Sequence, residues 1–154
     1  MDFSRTVEVA APIDDVWALV GDVPAAASCI PGVRDVEMND DHSFTCLLVQ
    51  HVGSVKASFA LQTRLEVDPT ERIVVVSSEG VDRGLSSSVK ATQKFTFSEV
   101  DAARTQVDIV ADVQISGRVA TFGQRIIAAK AEQVTVESIR NVDRLLESRR
   151  NGSA

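Results

Sequence analysis

The chain has 154 residues, a formal net charge of −6 and an apolar share of 44%. This length is typical of one domain that buries enough surface to be stable without disulfides or metals. The negative charge argues against a nucleic-acid-binding protein, and the longest apolar runs are too short for a membrane-spanning helix.

The N-terminal residues 1–5 lack the basic and apolar regions of a secretory signal. A cytoplasmic protein is therefore predicted. The two cysteines, Cys29 and Cys46, are not spaced as a C-x-x-C pair. A reduced and buried pair is the expectation for cysteines in such a protein.

The first elements are a strand and two short helices. The strand is predicted from about Asp2 to Ala10. Pro12 then stands where the first turn of a helix tolerates proline, and two acids follow it that favour the helix dipole. A second short helical segment is predicted over residues 23–29, before Ile30 and the proline after it end the helix.

The middle of the chain alternates between apolar and polar residues. In the clearest run, residues 55–67, the odd positions are mostly apolar and the even positions mostly polar. Residues 89–97 and 106–115 repeat the pattern, and turn-forming residues separate the runs at hairpin spacing. The alternation predicts six consecutive antiparallel strands between about Val33 and Ile115.

From Gly117 onward the apolar residues recur with helical spacing, which predicts one long C-terminal helix. Gly123 lies inside this predicted helix, where glycine costs about 1 kcal/mol relative to alanine. Close packing against the sheet, or room for a ligand, would offset that cost.

Four arginines gather toward the C-terminus: Arg140, Arg144, Arg149 and Arg150. Two interpretations remain open, because cations complement the negative end of a helix dipole and also bind anionic surfaces. The domain is predicted to span residues 1–148, with a disordered tail over 149–154.

This order of elements predicts an α+β fold. A curved, seven-stranded antiparallel sheet around one long helix buries both patterns. A sheet of that width leaves space beneath a single helix, and an apolar cavity that binds a hydrophobic small molecule is expected there. The residues on the inferred inward faces are Trp17, Ile30, Phe59, Leu61, Phe95, Ile109, Phe122, Gly123 and Ile126. Polar contacts to a ligand are expected from Cys46, Gln50 and Gln93.

No catalytic residue is predicted. The inward positions contain no acid or base, which general acid–base chemistry requires. His42 and His51 have no partner at ligand spacing, so no metal site is expected. Asp108 and Asp112 lie on the polar side of their strand, where solvated carboxylates are ordinary.

Three segments carry a family resemblance. They are Cys29-Ile30-Pro31-Gly32, residues 52–59 (VGSVKASF) and residues 117–127 (GRVATFGQRII). Together they resemble the G-subunit family of carbon monoxide dehydrogenase, which belongs to the START-related superfamily that includes polyketide cyclases. The resemblance implies a helix-grip (START/Bet v 1-like) fold with two short helices after the first strand.

The resemblance also implies a function. It points to a non-catalytic accessory or carrier protein for a molybdenum hydroxylase-type dehydrogenase such as carbon monoxide dehydrogenase. A lipid quinone is the implied ligand, without a tightly bound cofactor, and the implied location is the inner face of the plasma membrane, with peripheral membrane contact. The alternatives are a polyketide cyclase- or hydrolase-like enzyme acting on an apolar or aromatic substrate, and an interaction adaptor with a fully packed core.

Overall fold

The computed structural model describes residues 1–152, and within them seven strands form one antiparallel sheet. The strands are β1 (Asp2–Val9), β2 (Val33–Asp40), β3 (Ser43–Val52), β4 (Val55–Asp68), β5 (Ile73–Asp82), β6 (Ser87–Asp101) and β7 (Arg104–Ser116). The helices are α1 (Ile13–Gly21), α2 (Val23–Ser28) and α3 (Gln124–Gly152), with a 3₁₀ helix over Val119–Phe122. The predicted α+β architecture is confirmed.

The sheet has the order β1-β7-β6-β5-β4-β3-β2, so β1 joins the far edge beside the last strand. The β2–β3, β4–β5 and β6–β7 hairpins lie at one end, which we call the helix end because α1 and the C-terminal part of α3 pack there. The β3–β4 turn, the β5–β6 loop and the 3₁₀ helix lie at the opposite end, the loop end. One face of the sheet therefore meets different elements at its two ends.

Local sequence explains the two short helices. Helix α1 begins after Pro12, and Asp14 and Asp15 lie in its first turn, where the helix dipole favours negative charge. Asp22 caps α2, because its carboxylate accepts a hydrogen bond from the backbone N–H of Ala25 at 3.4 Å. The two helices therefore follow one another with a single residue between them.

The buried side chains form two separate clusters. The cluster on the β3–β4 side of the sheet contains Ala27, Phe44, Cys46, Ala57, Phe59, Leu61 and Val119. The cluster at the helix end contains Val9, Ala11, Val16, Leu19, Val107 and Leu146. The first cluster therefore involves β3, β4 and the 3₁₀ helix, and the second involves β1, β7, α1 and the C-terminal part of α3.

The C-terminal helix does not begin where the sequence predicts. The chain forms a short 3₁₀ helix, breaks at Gly123 and enters α3 at Gln124. Gly123 has φ +90° and ψ 159°, a conformation that is essentially restricted to glycine. A Cβ atom at Gly123 would meet nothing within 4 Å. The prediction that Gly123 lies inside a helix is therefore wrong, and the backbone conformation, not close packing, explains the glycine.

We expect Gly123→Ala to lower the free energy of unfolding by about 1–3 kcal/mol, because alanine disfavours this backbone conformation. Gly21→Ala is the control, since Gly21 ends α1 with open space around it and no positive φ. That change should be neutral or slightly stabilising. Urea unfolding of both variants measures the difference, and equal stabilities would contradict the strained conformation at Gly123.

Helix α3 extends to Gly152, so residues 149–152 are helical and the disordered tail predicted for them is wrong. The remaining tail residues, Ser153 and Ala154, lie outside the described residues. The end is held by tertiary contacts, because Arg149 pairs with Asp22 at 2.9 Å and Arg150 donates to the Ala10 carbonyl at 3.3 Å. These two arginines therefore contact the helix end of the protein itself.

Candidate functional site

The two ends of α3 are buried and its middle is not. Ile127 and Leu146 are the buried side chains within Gln124–Gly152. They are 19 positions apart, which corresponds to about 28 Å of helix. Ala131, Val134 and Ser138 lie on the same face between them and are only half-buried. The helix therefore spans the middle of the sheet between two anchors.

Below this span, four small side chains lie side by side on the inner face. Thr63 of β4 pairs with Ser78 of β5, Ser78 with Ala91 of β6, and Ala91 with Val113 of β7. Gln93 lies one row further toward the helix end. We call these five residues the central floor. Apart from Gln93, these side chains are smaller than the phenylalanine and leucine side chains of the two clusters.

The central floor is polar but uncharged. The Thr63 and Ser78 hydroxyl groups are hydrogen-bonded to each other at 2.9 Å. Within residues 1–152, the buried polar side chains are Thr63, Ser87 and Thr105. Thr105 donates to the Ala11 carbonyl at 2.9 Å, and the Ser87 hydroxyl accepts from the Val119 backbone N–H at 3.0 Å. In the part of the chain described, no buried carboxylate or imidazole is available as an acid or base.

One charged pair borders the floor at the edge strand. Arg5 lies on the inner face of β1, opposite Ile109, and its guanidinium forms an ion pair with the Glu132 carboxylate on α3. Both side chains are substantially exposed, so the pair contributes little to stability. It links β1 to α3, a contact that the strand alternation did not predict because arginine there occupies a position in phase with apolar residues.

The two cysteines are free and buried, as predicted. Burial raises the pKa of the Cys46 thiol. Burial also raises the pKa of Cys29, against the smaller opposing effects of the Arg149 charge and a hydrogen bond with Ser28. Both side chains are therefore neutral thiols at physiological pH, which are weak nucleophiles.

The Ile30-Pro31-Gly32 segment has a structural explanation. Gly32 has φ +85°, and a Cβ atom there would lie 2.1 Å from the Val49 carbonyl oxygen. The backbone N–H of Val49 donates to the Gly32 carbonyl at 2.8 Å, and the Gln50 side chain donates to the Pro31 carbonyl at 2.7 Å. Gln50, predicted as a ligand contact, thus fastens this segment to β3.

The second motif packs against the third motif. Gly53 in the β3–β4 turn has φ +60°, and a Cβ atom there would lie 2.9 Å from the Phe122 ring. Phe122, predicted to line the cavity, is half-buried over this turn at the loop end. The glycine therefore allows the 3₁₀ helix to close against the turn.

The structure distributes the other predicted site residues over both clusters and the surface. Phe59 and Leu61 are buried in the cluster on the β3–β4 side, whereas Phe95 and Ile109 pack against the cluster at the helix end. Ile126 is 45% exposed, because the break at Gly123 turns its neighbour Ile127 inward instead. Ile30 is 38% exposed at the end of α2. The central floor lies between these residues, and only Gln93 among its members was named as a site residue from the sequence.

Two hollows lie outside the space under α3. The first, which we call the hairpin groove, has a volume of about 550 Å³. Its lining comes from α1 (Trp17, Val20, Gly21), α2 (Val23, Pro24), residues 38–42 of the β2–β3 hairpin, and Leu65, Val67 and Val74 of the sheet. The second has a volume of about 380 Å³ and lies along β2, β3 and β4 at Cys46 and Leu61. Of the predicted site residues, Trp17 therefore lies in the hairpin groove, beyond the central floor.

Comparison with known protein families shows which family the chain belongs to. Residues 6–147, which include all three motif segments, match CoxG, the G-subunit family of carbon monoxide dehydrogenase. The chain belongs to the CoxG family. No curated protein sequence matches the chain. Within residues 1–152, no helix of this CoxG-family protein is long and apolar enough to cross a membrane.

Solved structures share the fold of this CoxG-family protein. A conserved protein from Geobacillus kaustophilus superposes with a TM-score of 0.83 at 17% identity, covering 97% of both chains. The Zhui aromatase/cyclase from Streptomyces sp. R1128 has a TM-score of 0.72 at 21% identity, covering 97% of this chain and 94% of its own. A START superfamily protein from Mycobacterium smegmatis has a TM-score of 0.72 at 17% identity, covering 96% and 97%. These similarities show that the fold is START-like.

Proposed function

We propose that this CoxG-family protein is a non-catalytic carrier that binds a hydrophobic small molecule between α3 and the central floor. The observation that carries the proposal is the row of small side chains, Thr63, Ser78, Ala91 and Val113, beneath the half-buried middle of α3. An apolar molecule in this gap would join the two core clusters. Family membership supports a role beside a molybdenum hydroxylase-type dehydrogenase such as carbon monoxide dehydrogenase.

The chemistry of the floor favours a quinone-like or lipid-like ligand. Its walls are the apolar residues of the two clusters, which suit a hydrocarbon chain. Its polar groups are the Thr63 and Ser78 hydroxyls and the Gln93 amide. One of the two hydroxyls donates to the other, so the second hydroxyl and the amide are left to donate to a ligand. A quinone carries two carbonyl acceptors and no charge, so it matches a floor that has donors but no buried ionised group.

The cyclase-like alternative has less support from the site. A cyclase or hydrolase of this kind needs an acid or base facing its substrate. The described residues place Thr63, Ser87 and Thr105 in buried positions, and none of these hydroxyls is hydrogen-bonded to a carboxylate or an imidazole. The similarity to an aromatase/cyclase concerns the fold and gives no support for a cyclase reaction in this protein.

A cytoplasmic location at the inner membrane face is part of the proposal. Arg140 and Arg144 are exposed on α3, whereas Arg149 and Arg150 make contacts within the protein. Two exposed cations attract anionic lipid headgroups by about 1 kcal/mol each. This strength suits a reversible contact in which a carrier collects a lipid-soluble molecule and leaves.

The test is native mass spectrometry of the full chain purified from its own host. We expect a mass above that of the polypeptide, and extraction with organic solvent should release an apolar molecule whose mass identifies its class. The control is the same protein denatured, delipidated and refolded, which should give the mass of the polypeptide alone. Repeated spectra of the freshly purified protein without any bound molecule would contradict the carrier proposal.

A further inference from the structure

The hairpin groove is a hollow that the carrier proposal does not use. It lies at the helix end, between the α1–α2 corner and the β2–β3 hairpin, and its lining includes no residue of α3 within the described chain. Its volume of about 550 Å³ falls in the usual range for small-molecule sites. Leu65, Val67 and Val74 form an apolar floor for it.

Several apolar side chains that remain exposed in the folded protein line this groove. Met38 and Val67 are each 39% exposed, and both line this hollow together with the Trp17 ring. Exposed apolar side chains that are scattered singly are ordinary, whereas those that share one hollow are typical of binding sites. A molecule in the groove would remove this surface from water.

The Trp17 ring is fixed before any ligand arrives. The Phe97 ring meets it edge-on, with centroids 5.7 Å apart and an interplanar angle of 78°. The Arg72 guanidinium lies 5.3 Å from the Trp17 centroid and 3.6 Å from the Asp14 carboxylate. A preset aromatic wall costs little entropy on binding and favours a flat ligand.

The rim of the groove is acidic. Asp40 and Asp41 line it beside Asn39 and His42. The Asp40 carboxylate accepts a hydrogen bond from the His42 backbone N–H at 2.8 Å, and this bond lowers the pKa of Asp40, so the carboxylate stays ionised. The nearby cation Arg64 projects from β4 at an even position, away from the apolar inner face.

We propose that the hairpin groove is a second binding site, for a small organic cation with a flat apolar body and one amine group. The apolar body would lie between Trp17 and the Val67 floor, and the ammonium would face Asp40 and Asp41. The charge of the rim distinguishes this ligand class from the neutral molecule proposed for the space under α3.

The test uses three probes that share one apolar body: para-phenylbenzylamine, para-phenylbenzyl alcohol and para-phenylbenzoate. Trp17 is the single tryptophan of the chain, so its fluorescence reports binding in the groove directly. Calorimetric titration gives the affinities. We expect the amine to bind about threefold to tenfold more tightly than the alcohol, as two exposed charge pairs provide, and the benzoate to bind most weakly.

Two variants with matched controls locate the site. Val67→Lys places a competing ammonium in the groove and should weaken amine binding by more than about tenfold, because like charges brought together in a binding site repel each other. Val110→Lys, a change at a residue 56% exposed outside the groove lining, should have no effect. Asp41→Asn should halve the preference for amine over alcohol, whereas Glu99→Gln, at an exposed residue of β6, should not.

Each alternative outcome contradicts the proposal. Equal affinities for the three probes would remove the role of the acidic rim, and unchanged amine binding in Val67→Lys would place the probe elsewhere. Absence of any Trp17 response would show that the groove takes no ligand of this class. Ala91→Phe, which fills the central floor, should leave amine binding unchanged, so failure here is distinguishable from failure of the carrier proposal.

Discussion

Replacing Ala91 by phenylalanine should strongly weaken binding of an apolar ligand without unfolding the protein. Ala91 lies between Ser78 and Val113 on the central floor, where its side chain is half-buried. A phenyl ring at this position would occupy the gap that we propose for the ligand. In the carrier proposal this space is empty without a ligand, so the ring should enter it with a stability change below about 1 kcal/mol, smaller than overpacking costs in a filled core.

The measurement is equilibrium dialysis of a short-tailed alkyl benzoquinone against the delipidated protein. We expect the affinity to fall at least about tenfold, a loss of about 1.4 kcal/mol. Thr92→Phe is the control, since Thr92 is the next residue of β6 and is exposed on the opposite face. It should bind the quinone as the unmodified protein does.

The same pair of variants separates a carrier from an adaptor with a packed core. In a packed core, Ala91→Phe would cost about 1–3 kcal/mol of stability through overpacking, and the unmodified protein would bind no quinone. Unchanged quinone affinity in Ala91→Phe would contradict the placement of the ligand on the central floor. Each result therefore decides between the two functions.

The strands of the sheet were predictable because side-chain direction in a strand alternates with a period of two. In β4, the odd residues Ala57, Phe59, Leu61 and Thr63 are buried, as their alternation with Lys56 and other polar residues indicates. The three family motifs were recognisable in the sequence. Their main roles in the structure are backbone roles, at Gly32, Gly53 and Gly117, where φ is positive.

The position of the proposed ligand space was not predictable from the alternation of apolar and polar residues. Large apolar residues were the predicted cavity lining, but large side chains fill space, so Phe59 and Leu61 became core. We place the proposed ligand where the inward positions hold Ser78 and Ala91 instead. The sequence does contain this information, because small or hydroxyl-bearing residues occupy some of the inward positions that are otherwise apolar. The register that aligns them across strands appears only in the structure.

The break at Gly123 limited the prediction for α3 in a similar way. The sequence pattern predicts that Ile126 lies on the inner face, but the positive φ of Gly123 changes the chain direction just before α3 begins. Ile127 is buried and Ile126 is exposed as a result. A change of backbone conformation at one glycine thus decided which residues of α3 face the sheet.

Leu146→Ala should destabilise the protein by about 2–5 kcal/mol, the usual cost of removing a fully buried leucine side chain. Leu146 is 2% exposed and packs with Val9, Val16, Leu19 and Val107, so it anchors α3 to the helix end of the sheet. A loss of this size is a large fraction of the stability of an ordinary domain. Guanidinium unfolding, with the slope compared between variants, measures it.

The neighbouring residue provides the control for Leu146→Ala. Leu145 is only half-buried beside the same cluster, so Leu145→Ala removes the same atoms from a less buried position and should cost clearly less. Equal losses in the two variants would contradict the rotation of α3 that turns Leu146 toward the sheet. Because α3 is anchored at Ile127 and Leu146 and spans the central floor between them, that rotation also determines which helix residues would contact a ligand.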